Sequence, residues 1–261
     1  RVAGMENGDT VANASSPVSA DILLGIRTGP GFPFFGEMGE VLIYNRALSA
    51  TERRDVERYL ARKWNAPLNV ASQTQGGVAF ANELIAGGGY SAHQIDHLND
   101  ANYGNSYSWI GNDNGGSSAF AGVAFDGAYD ISSLAFGRDA TGASPDRVQG
   151  IYEFQYTTDA FDPLSLASVG SATWNDFLTV DYSSFVYGGP ERLRHLFEFD
   201  MISGVRGVRV LLSTNVIAID EFEVYGIQTI PEPSTILLGL AGLVGVCLLG
   251  RRRIKARSAM N

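Results

Sequence analysis

Residues 150–158 read Gly-Ile-Tyr-Glu-Phe-Gln-Tyr-Thr-Thr, and their side chains alternate between apolar and polar. Tyr152, Phe154 and Tyr156 fall on one face of an extended chain, because successive side chains of a β-strand point to opposite sides. The run at 218–225 alternates in the same way. Both stretches therefore predict strands that bury one face and turn the other toward solvent.

Four further runs have the composition of strands and are bounded by turn residues: 78–82, 131–137, 193–201 and 205–213. The chain holds 31 glycines in 261 residues, which suits short strands joined by tight turns. We therefore expect a mainly β fold of antiparallel β-sandwich (jelly-roll) modules. We also expect one short helix after the first module and a single transmembrane helix at the C-terminus.

The short helix is predicted to begin after Ser49, which is a good N-cap residue. Glu52 follows three residues later, as in a capping box, and Pro67 stands just past the end of the pattern. Ahead of this helix, 22–27 and 39–44 read as two strands. Five side chains recur at helical spacing, and we expect the face they form to be buried: Val56, Tyr59, Leu60, Lys63 and Trp64.

Residues 35–52 read Phe-Gly-Glu-Met-Gly-Glu-Val-Leu-Ile-Tyr-Asn-Arg-Ala-Leu-Ser-Ala-Thr-Glu. This run resembles the closing strand and helix of a LamG-like jelly roll of the concanavalin A type. A complete jelly roll needs more strands than residues 1–48 supply, so the resemblance implies only its C-terminal part over residues 1–66. Residues 67–77, which open with Pro and end in two glycines, are predicted as a linker.

Three later segments stand in a characteristic order. Residues 93–109 include Asp-His-Leu-Asn-Asp-Ala-Asn-Tyr-Gly-Asn and end in Trp109, and 131–139 read Ile-Ser-Ser-Leu-Ala-Phe-Gly-Arg-Asp. Residues 204–226 end in Glu-Phe-Glu-Val-Tyr-Gly. Together they resemble a discoidin, or coagulation factor F5/8 type C, domain, which is a galactose-binding-like jelly roll. The resemblance implies a second β-sandwich over residues 78–227, with Trp109 as the usual core tryptophan.

The same resemblance implies a structural calcium ion where an early acidic loop meets the last strand. Calcium prefers oxygen ligands, and a loop supplies main-chain carbonyls together with carboxylates. Ala101 stands where the family usually has Gly. The family pattern carries over to two carboxylates and three main-chain carbonyls: Asp100 and Glu221, then Asn102, Asn105 and Asp220. The alternative is that Asp100 caps a turn and Glu221 is solvated.

Sugar-binding members of the family stack an aromatic ring on the sugar, using loops at one end of the sandwich. The resemblance makes Tyr103, Tyr107 and Trp174 the candidates for that ring. Arg138 follows a predicted strand and is a candidate to donate hydrogen bonds to sugar hydroxyls. A surface ion pair between Arg138 and Asp139 is the plainer alternative.

The C-terminal segment 231–257 has three parts. Pro-Glu-Pro opens it, a charge-free apolar run covers 236–250, and a basic cluster follows. As a helix the run would be about 22 Å long, which is short of the ~30 Å hydrocarbon core, but basic side chains at its end can reach the interface. The residues of the two polar parts are Pro231, Glu232, Pro233, Arg251, Arg252 and Arg253.

This three-part order resembles the PEP-CTERM sorting signal of Gram-negative bacteria. The resemblance implies export, inner-membrane anchoring through the C-terminal helix and processing by an exosortase-type enzyme. The protein would then reach the cell surface or the extracellular matrix. The chain begins at Arg1 without a signal peptide, and we expect such a signal ahead of it because the tail is of an export type.

The net charge of the central part of the chain indicates which kinds of partner it can bind. Residues 70–230 hold 19 acidic and 6 basic side chains, a net charge of −13. Such a surface repels phosphate backbones, so nucleic acid is not an expected partner. His93 and His97 have the spacing of zinc ligands on a helix, but the sequence around them reads as a loop and lacks the zincin pattern.

The function that these patterns favour is a non-enzymatic surface or matrix protein that binds a polysaccharide or glycan. The sequence has no Gly-x-Ser-x-Gly elbow, P-loop or dinucleotide-binding fingerprint, so no catalytic residue is predicted. Two alternatives stay open. The modules could be accessories of a secreted glycoside hydrolase or sulfatase, or they could form a purely structural spacer in the matrix.

Overall fold

The described part of the chain is built mostly of antiparallel strands. A computed structural model describes residues 38–85, 89–111, 119–138, 144, 146–213 and 216–229. Within them the strands are β1 Leu68–Asn69, β2 Val78–Ala81, β3 Trp109–Ile110, β4 Phe120–Gly137, β5 Ile151–Thr157, β6 Asn175–Asp181, β7 His195–Leu212, β8 Ala218–Ile219 and β9 Glu221–Gln228. The α-helices are α1 Ala50–Trp64 and α2 Leu166–Ser171, and short 3₁₀ helices cover Gln73–Gln75, Ile95–Asn99 and Pro190–Arg192.

Seven of these strands form one hydrogen-bonded sheet. Its order is β1-β9-β4-β7-β5-β6, with β2 also paired to β4, and every pair in it is antiparallel. Strands β3 and β8 form a separate antiparallel pair. The prediction of a mainly β, antiparallel fold with few helices is confirmed.

The two longest strands, β4 and β7, each take part in two halves of this sheet. Residues 120–124 of β4 pair with β2 and with the C-terminal half of β7. Residues 129–137 of β4 pair instead with β9 and with the N-terminal half of β7. The register shifts between Ala124 and Tyr129, so β4 is bent where it passes from one half to the other.

Phe154 and Phe222 show that the two halves face each other. Their strands, β5 and β9, are three steps apart in the hydrogen-bonded order, yet the rings stack with centroids 5.8 Å apart. Neighbouring strands lie about 4.8 Å apart, so a flat sheet would hold the two rings at about 14 Å. The sheet therefore folds over itself as a sandwich with an apolar interior.

That interior is rich in aromatic side chains. Trp109, Tyr129, Tyr152, Phe154 and Phe222 are among the largest fully buried residues. The buried position of Trp109 is the one predicted for it, and its indole N–H donates to the Glu83 carbonyl at 2.9 Å. A buried indole with a satisfied N–H group is a packing residue, so it takes no part in ligand stacking.

Helix α1 begins as predicted but buries a different face. Ser49 and Glu52 form both bonds of the capping box. Tyr59 and Trp64 are 43% and 49% exposed, whereas Arg58 is buried and its Nη2 atom lies 2.6 Å from Asp126 Oδ2. An ion pair to a strand distant in sequence therefore decides which face of the helix meets the sandwich.

Two predicted elements differ from the structure. Residues 39–44, predicted as a strand, have no strand partner among the described residues, and their apolar side chains are exposed. Residues 67–77, predicted as a linker, contain β1 and a 3₁₀ helix; β1 pairs with β9, and Asn99 Nδ2 donates to the carbonyls of Ala71 and Gly77. The described residues from Met38 to Gln228 belong to one compact unit.

Several predictions lie outside the described residues. These are the strand at 22–27, residues 1–37 of the predicted LamG-like part at 1–66, and the tail at 231–257 with its predicted transmembrane helix. No helix within the described ranges is both long enough and apolar enough to cross a membrane.

We expect Phe154→Ala to lower the free energy of unfolding by about 3–5 kcal/mol, because it leaves a cavity between the two halves of the sandwich. Leu164→Ala is the control, since Leu164 is 84% exposed and its loss should cost less than about 0.5 kcal/mol. Urea denaturation of both variants measures the difference. Equal midpoints for Phe154→Ala and the unsubstituted protein would show that the two halves do not pack as described.

Candidate functional site

Several loops meet at one end of the sandwich. The register pairs Gly137 with Glu221, Phe136 with His195, and Ile151 with Asp181. The rings of Phe136 and Tyr152 lie 5.1 Å apart, so strands β4 and β6 end where β5, β7 and β9 begin. We call this side of the molecule the loop end. It comprises the described residues of 89–108, 138–150, 182–194 and 213–220.

Arg138 and Asp220 form a buried ion pair at the loop end. Arg138 Nη1 lies 2.8 Å from Asp220 Oδ1, and their side chains are 2% and 0% exposed. The Arg138 Nη2 atom donates to Asn105 Oδ1 at 2.8 Å, and the Gly104 N–H donates to Asp220 Oδ2 at 2.7 Å. The expectation that Arg138 contacts sugar hydroxyls does not fit this placement. Its guanidinium is covered by protein and positions the loop instead.

Glu221 lies beside the same loop with one oxygen unused. Its Oε2 atom accepts the Ala101 N–H at 2.8 Å, and Ala101 adopts a left-handed conformation with φ 66°. Its Oε1 atom is buried and has no hydrogen-bond partner among the described residues. Burial raises the pKa of Glu221 to about 9, and the nearby carboxylates of Glu223 and Asp100 act in the same direction.

The five residues predicted to ligate calcium are brought together around this loop. The Asp100 carboxylate accepts the Asn102 N–H at 2.9 Å, while the Asp220 carboxylate is bound as described above. In the described part of the chain, no group of three or more His, Cys, Asp and Glu side chains is arranged to hold a metal. The oxygen of the kind that calcium takes and that is left without a partner in the described chain is Glu221 Oε1.

Tyr103 also serves to hold the loop. Its hydroxyl donates to Glu223 Oε1 at 2.9 Å, and Arg194 Nε and Nη2 reach the two oxygens of the same carboxylate at 2.6 and 2.7 Å. Tyr225 donates a further short hydrogen bond to Glu223. Burial is the main cause that raises the pKa of Tyr103, so its hydroxyl stays protonated and remains a donor. The Tyr103 side chain is half-buried, whereas the Tyr107 side chain is exposed.

Exposed rings do cluster at the loop end. Tyr90 and Tyr107 are 54% and 46% exposed. The Tyr90 ring lies 6.0 Å from that of His93, and the Tyr107 ring lies 5.8 Å from that of His97, both edge to face. We call these four residues the aromatic patch. Tyr107 was predicted from sequence, but the other three were missed as sugar-binding candidates, although all four lie within the 18 residues 90–107, a polar stretch with three asparagines.

Polar groups border the aromatic patch. His93 Nδ1 is 2.8 Å from Ser108 Oγ, and burial together with the charges of Arg138 and Arg147 lowers the pKa of His93. The imidazole is therefore neutral near pH 7 and able to donate or accept a hydrogen bond. Asp146 and Arg147, which pair at 3.4 Å, are partly exposed. The loop end thus offers apolar ring faces beside hydrogen-bonding groups.

Trp174 lies at the opposite end, because it precedes β6 whereas the loop end follows that strand. Its indole N–H donates to the Val169 carbonyl at 2.9 Å, and the Arg209 guanidinium stands 4.3 Å over its ring. It packs with Phe80 and Phe161 in a small apolar cluster. The structure therefore separates Trp174 from Tyr103 and Tyr107, with which the sequence grouped it.

The fold and the loop end define this chain as an antiparallel β-sandwich that carries exposed rings and hydrogen-bonding side chains on its loops. At its C-terminus, residues 229–253 match the model of the PEP-CTERM protein-sorting motif, which marks the chain as an exported protein. None of the curated proteins matches the sequence.

Solved structures similar to this chain include several from carbohydrate-binding proteins. CpGH89CBM32-5 from Clostridium perfringens, in complex with GalNAc-beta-1,3-galactose, has a TM-score of 0.45 and 10% identity, over 61% of this chain and 99% of that one. A fucolectin from Morone saxatilis serum has a TM-score of 0.46 and 18% identity, over 62% and 50%. A chitosan-binding module of a Paenibacillus chitosanase/glucanase has a TM-score of 0.42 and 17% identity, over 61% and 99%.

Glu221 makes stability depend on pH in a defined direction. Its pKa rises from 4.5 to about 9 on folding, so the unfolded chain ionises first and stability falls as pH rises from about 4.5 toward 9. In the presence of a chelator, we expect Glu221→Gln to remove this slope and to be more stable than the unsubstituted protein at pH 8 by about 2–4 kcal/mol.

The matched control is Glu153→Gln, which removes an exposed carboxylate from β5. Denaturation of the three proteins at pH 5 and pH 8 measures the slopes. If Glu221→Gln and the unsubstituted protein lose the same stability between the two pH values, Glu221 does not carry the buried charge described here.

Proposed function

We propose that this protein binds carbohydrate at the aromatic patch of the loop end, without catalysing a reaction on it. The observation that carries the proposal is the exposure of Tyr90 and Tyr107 together with His93, whose ring lies 6.0 Å from that of Tyr90 and whose Nδ1 atom lies 2.8 Å from Ser108 Oγ. A pyranose ring has apolar C–H faces and hydroxyls at its rim. Sites of this kind combine ring faces with a few placed hydrogen-bonding groups, as the loop end does.

The charge of the sandwich favours a neutral polysaccharide over an acidic one. Residues 70–230 carry a net charge of −13, which repels a polyanion at low ionic strength. The guanidinium of Arg138 does not offset this at the surface, because it is buried against Asp220. We therefore expect a neutral exopolysaccharide or glycan as the ligand.

A structural calcium ion is part of the proposal. Glu221 would supply a carboxylate oxygen, and the loop of Asp100, Asn102 and Asn105, with the carbonyl of Asp220, would supply the rest. Support comes from the buried Oε1 atom of Glu221, which has no partner in the described chain, and from the raised pKa of that carboxyl. When bound, the cation would keep Glu221 ionised and hold the loop that leads to Tyr107.

The match to the PEP-CTERM sorting motif supports the proposal that the protein binds carbohydrate outside the cytoplasm. We propose that the apolar run at 236–250 anchors the chain in the inner membrane of a Gram-negative bacterium, with the basic residues Arg251–Arg253 on the cytoplasmic side. An exosortase-type enzyme would then act at the Pro231-Glu232-Pro233 segment. The sandwich would be displayed on the surface or released into the matrix.

We expect Tyr107→Ala to weaken retention on a neutral polysaccharide by about 5- to 30-fold, as loss of one stacking ring worth ~1–2 kcal/mol would do. Leu166→Ala is the control, because Leu166 is 52% exposed but lies at the opposite end. Affinity electrophoresis through gels that contain the polysaccharide measures retention. Equal losses in both variants, or no retention of the unsubstituted protein on any neutral glycan of an array, would remove the proposed site.

Calcium is tested by thermal melting in EDTA and in excess calcium. We expect calcium to stabilise the unsubstituted protein by about 2–3 kcal/mol at a concentration ~100-fold above its Kd, and Glu221→Gln to lose this gain. Glu198→Gln, on an exposed strand position, should keep it. Superimposable melts of the unsubstituted protein in EDTA and in calcium would rule the ion out without affecting the aromatic patch.

A further inference from the structure

Arg209 differs from the other cationic side chains of the sandwich. Residues 70–230 hold six basic side chains, all of them arginines. Three of these form ion pairs with carboxylates: Arg138, Arg147 and Arg194. Arg209 is half-buried, yet no carboxylate of the described residues forms an ion pair with it. Burial lowers the pKa of Arg209, because a charge that leaves water without a counter-charge loses hydration. An anion bound at Arg209 would supply that counter-charge.

Arg209 lies on the outer face of the sandwich, beside two aromatic rings. Its neighbours in β7, Val208 and Val210, are buried in the core, so the side chain between them points to the opposite face. The guanidinium carbon lies 4.3 Å from the centroid of the Trp174 ring and 5.1 Å from that of Phe120. Both aromatic side chains are partly exposed. Cation–π contacts with these rings hold the guanidinium in place without neutralising its charge.

One edge of the Arg209 guanidinium is occupied and the other is open. The Nε atom donates to Gln155 Oε1 at 2.8 Å, and Gln155 Nε2 in turn donates to Asp176 Oδ1 at 2.7 Å. The Nη1 and Nη2 atoms have no hydrogen-bond partner among the described residues, and both are open to solvent. These two nitrogens form a planar pair of donors at a fixed spacing, which matches the two oxygens of a carboxylate.

We propose that Arg209, Trp174, Phe120 and Gln155 form a second binding site, the Arg209 site, which takes the carboxylate group of an acidic sugar. The two Nη atoms would donate to the carboxylate, and the partly exposed rings beside them would contact the apolar C–H groups of the sugar. The site has one cation, and residues 70–230 carry a net charge of −13. It therefore suits an isolated uronic acid unit rather than a densely charged polyanion.

NMR titration of the ¹⁵N-labelled full chain at constant ionic strength tests the proposal, with the Trp174 indole N–H as the reporter. We expect methyl glucuronide to shift this signal in a saturable way, because the ring lies against the guanidinium. Methyl glucoside, which has a hydroxymethyl group in place of the carboxylate, should bind about tenfold more weakly or not at all. Acetate distinguishes the sources of the carboxylate and should bind more weakly than the glucuronide.

Substitutions separate the Arg209 site from general charge attraction. Arg209→Gln should weaken glucuronide binding by about tenfold or more, and Arg209→Lys should weaken it severalfold, because lysine keeps the charge but loses the planar pair of donors. Arg206→Gln is the matched control, since Arg206 is an exposed arginine of the same strand, and it should change the affinity by less than about twofold. The indole signal of the buried Trp109 reports in each variant that the sandwich is folded.

The proposal stands apart from carbohydrate binding at the aromatic patch, with which the Arg209 site shares no residue. Tyr107→Ala should therefore leave glucuronide binding unchanged. An unmoved Trp174 signal, equal affinity for glucuronide and glucoside, or equal losses in Arg209→Gln and Arg206→Gln would each overturn the Arg209 site. Equal affinity for acetate and glucuronide would overturn the assignment of the ligand to a sugar.

Discussion

Three acidic side chains at the start of β9 hold the loop that leads to the exposed rings. Asp220 accepts the Gly104 N–H, Glu221 accepts the Ala101 N–H, and Glu223 accepts the Tyr103 hydroxyl, so successive parts of one loop are tied to one strand. Strand β9 pairs with the long, bent β4, so these bonds fix the position of the loop relative to the centre of the sandwich. Aromatic rings carried on a loop fixed in this way lose little freedom when they bind, which is how a small site gains affinity.

Burying three carboxylates so close together costs free energy, and the chain compensates each one differently. Asp220 has the guanidinium of Arg138, and Glu223 has Arg194 with two tyrosine hydroxyls. No cationic side chain among the described residues pairs with Glu221, and burial is the main cause that raises its pKa. A buried acid without a counter-charge is either protonated or paired with a bound cation. A calcium ion bound at Glu221 would therefore supply a counter-charge to the carboxylate that accepts the Ala101 N–H of the loop.

Much of the fold could be predicted because half-buried strands alternate with period two. Strand β5 shows that alternation of burial, whereas residues 221–224 of β9 and the first half of β4 are buried on both faces, and in β9 the polar face holds buried carboxylates that the alternating pattern assigned to solvent. The capping box fixed the start of α1, but its buried face depends on the Arg58–Asp126 pair across 68 residues, which no local pattern contains. The candidate site could be predicted only in part, because local patterns do not contain contacts between residues that are distant in sequence. Tyr107 could be found as a ring in a polar loop, but the roles of Tyr103 and Arg138 follow from partners more than 80 residues away.

The central claim is that the loop end, and no other part of the sandwich, binds a neutral glycan. Titration of ¹⁵N-labelled protein with a neutral oligosaccharide, followed by NMR, tests it most directly because every amide reports its own surroundings. Our account predicts saturable shifts at the described residues of 89–108 and at 146–147, with none around Trp174. Shifts confined to the end that carries Trp174, or no shifts with any neutral glycan, would contradict it.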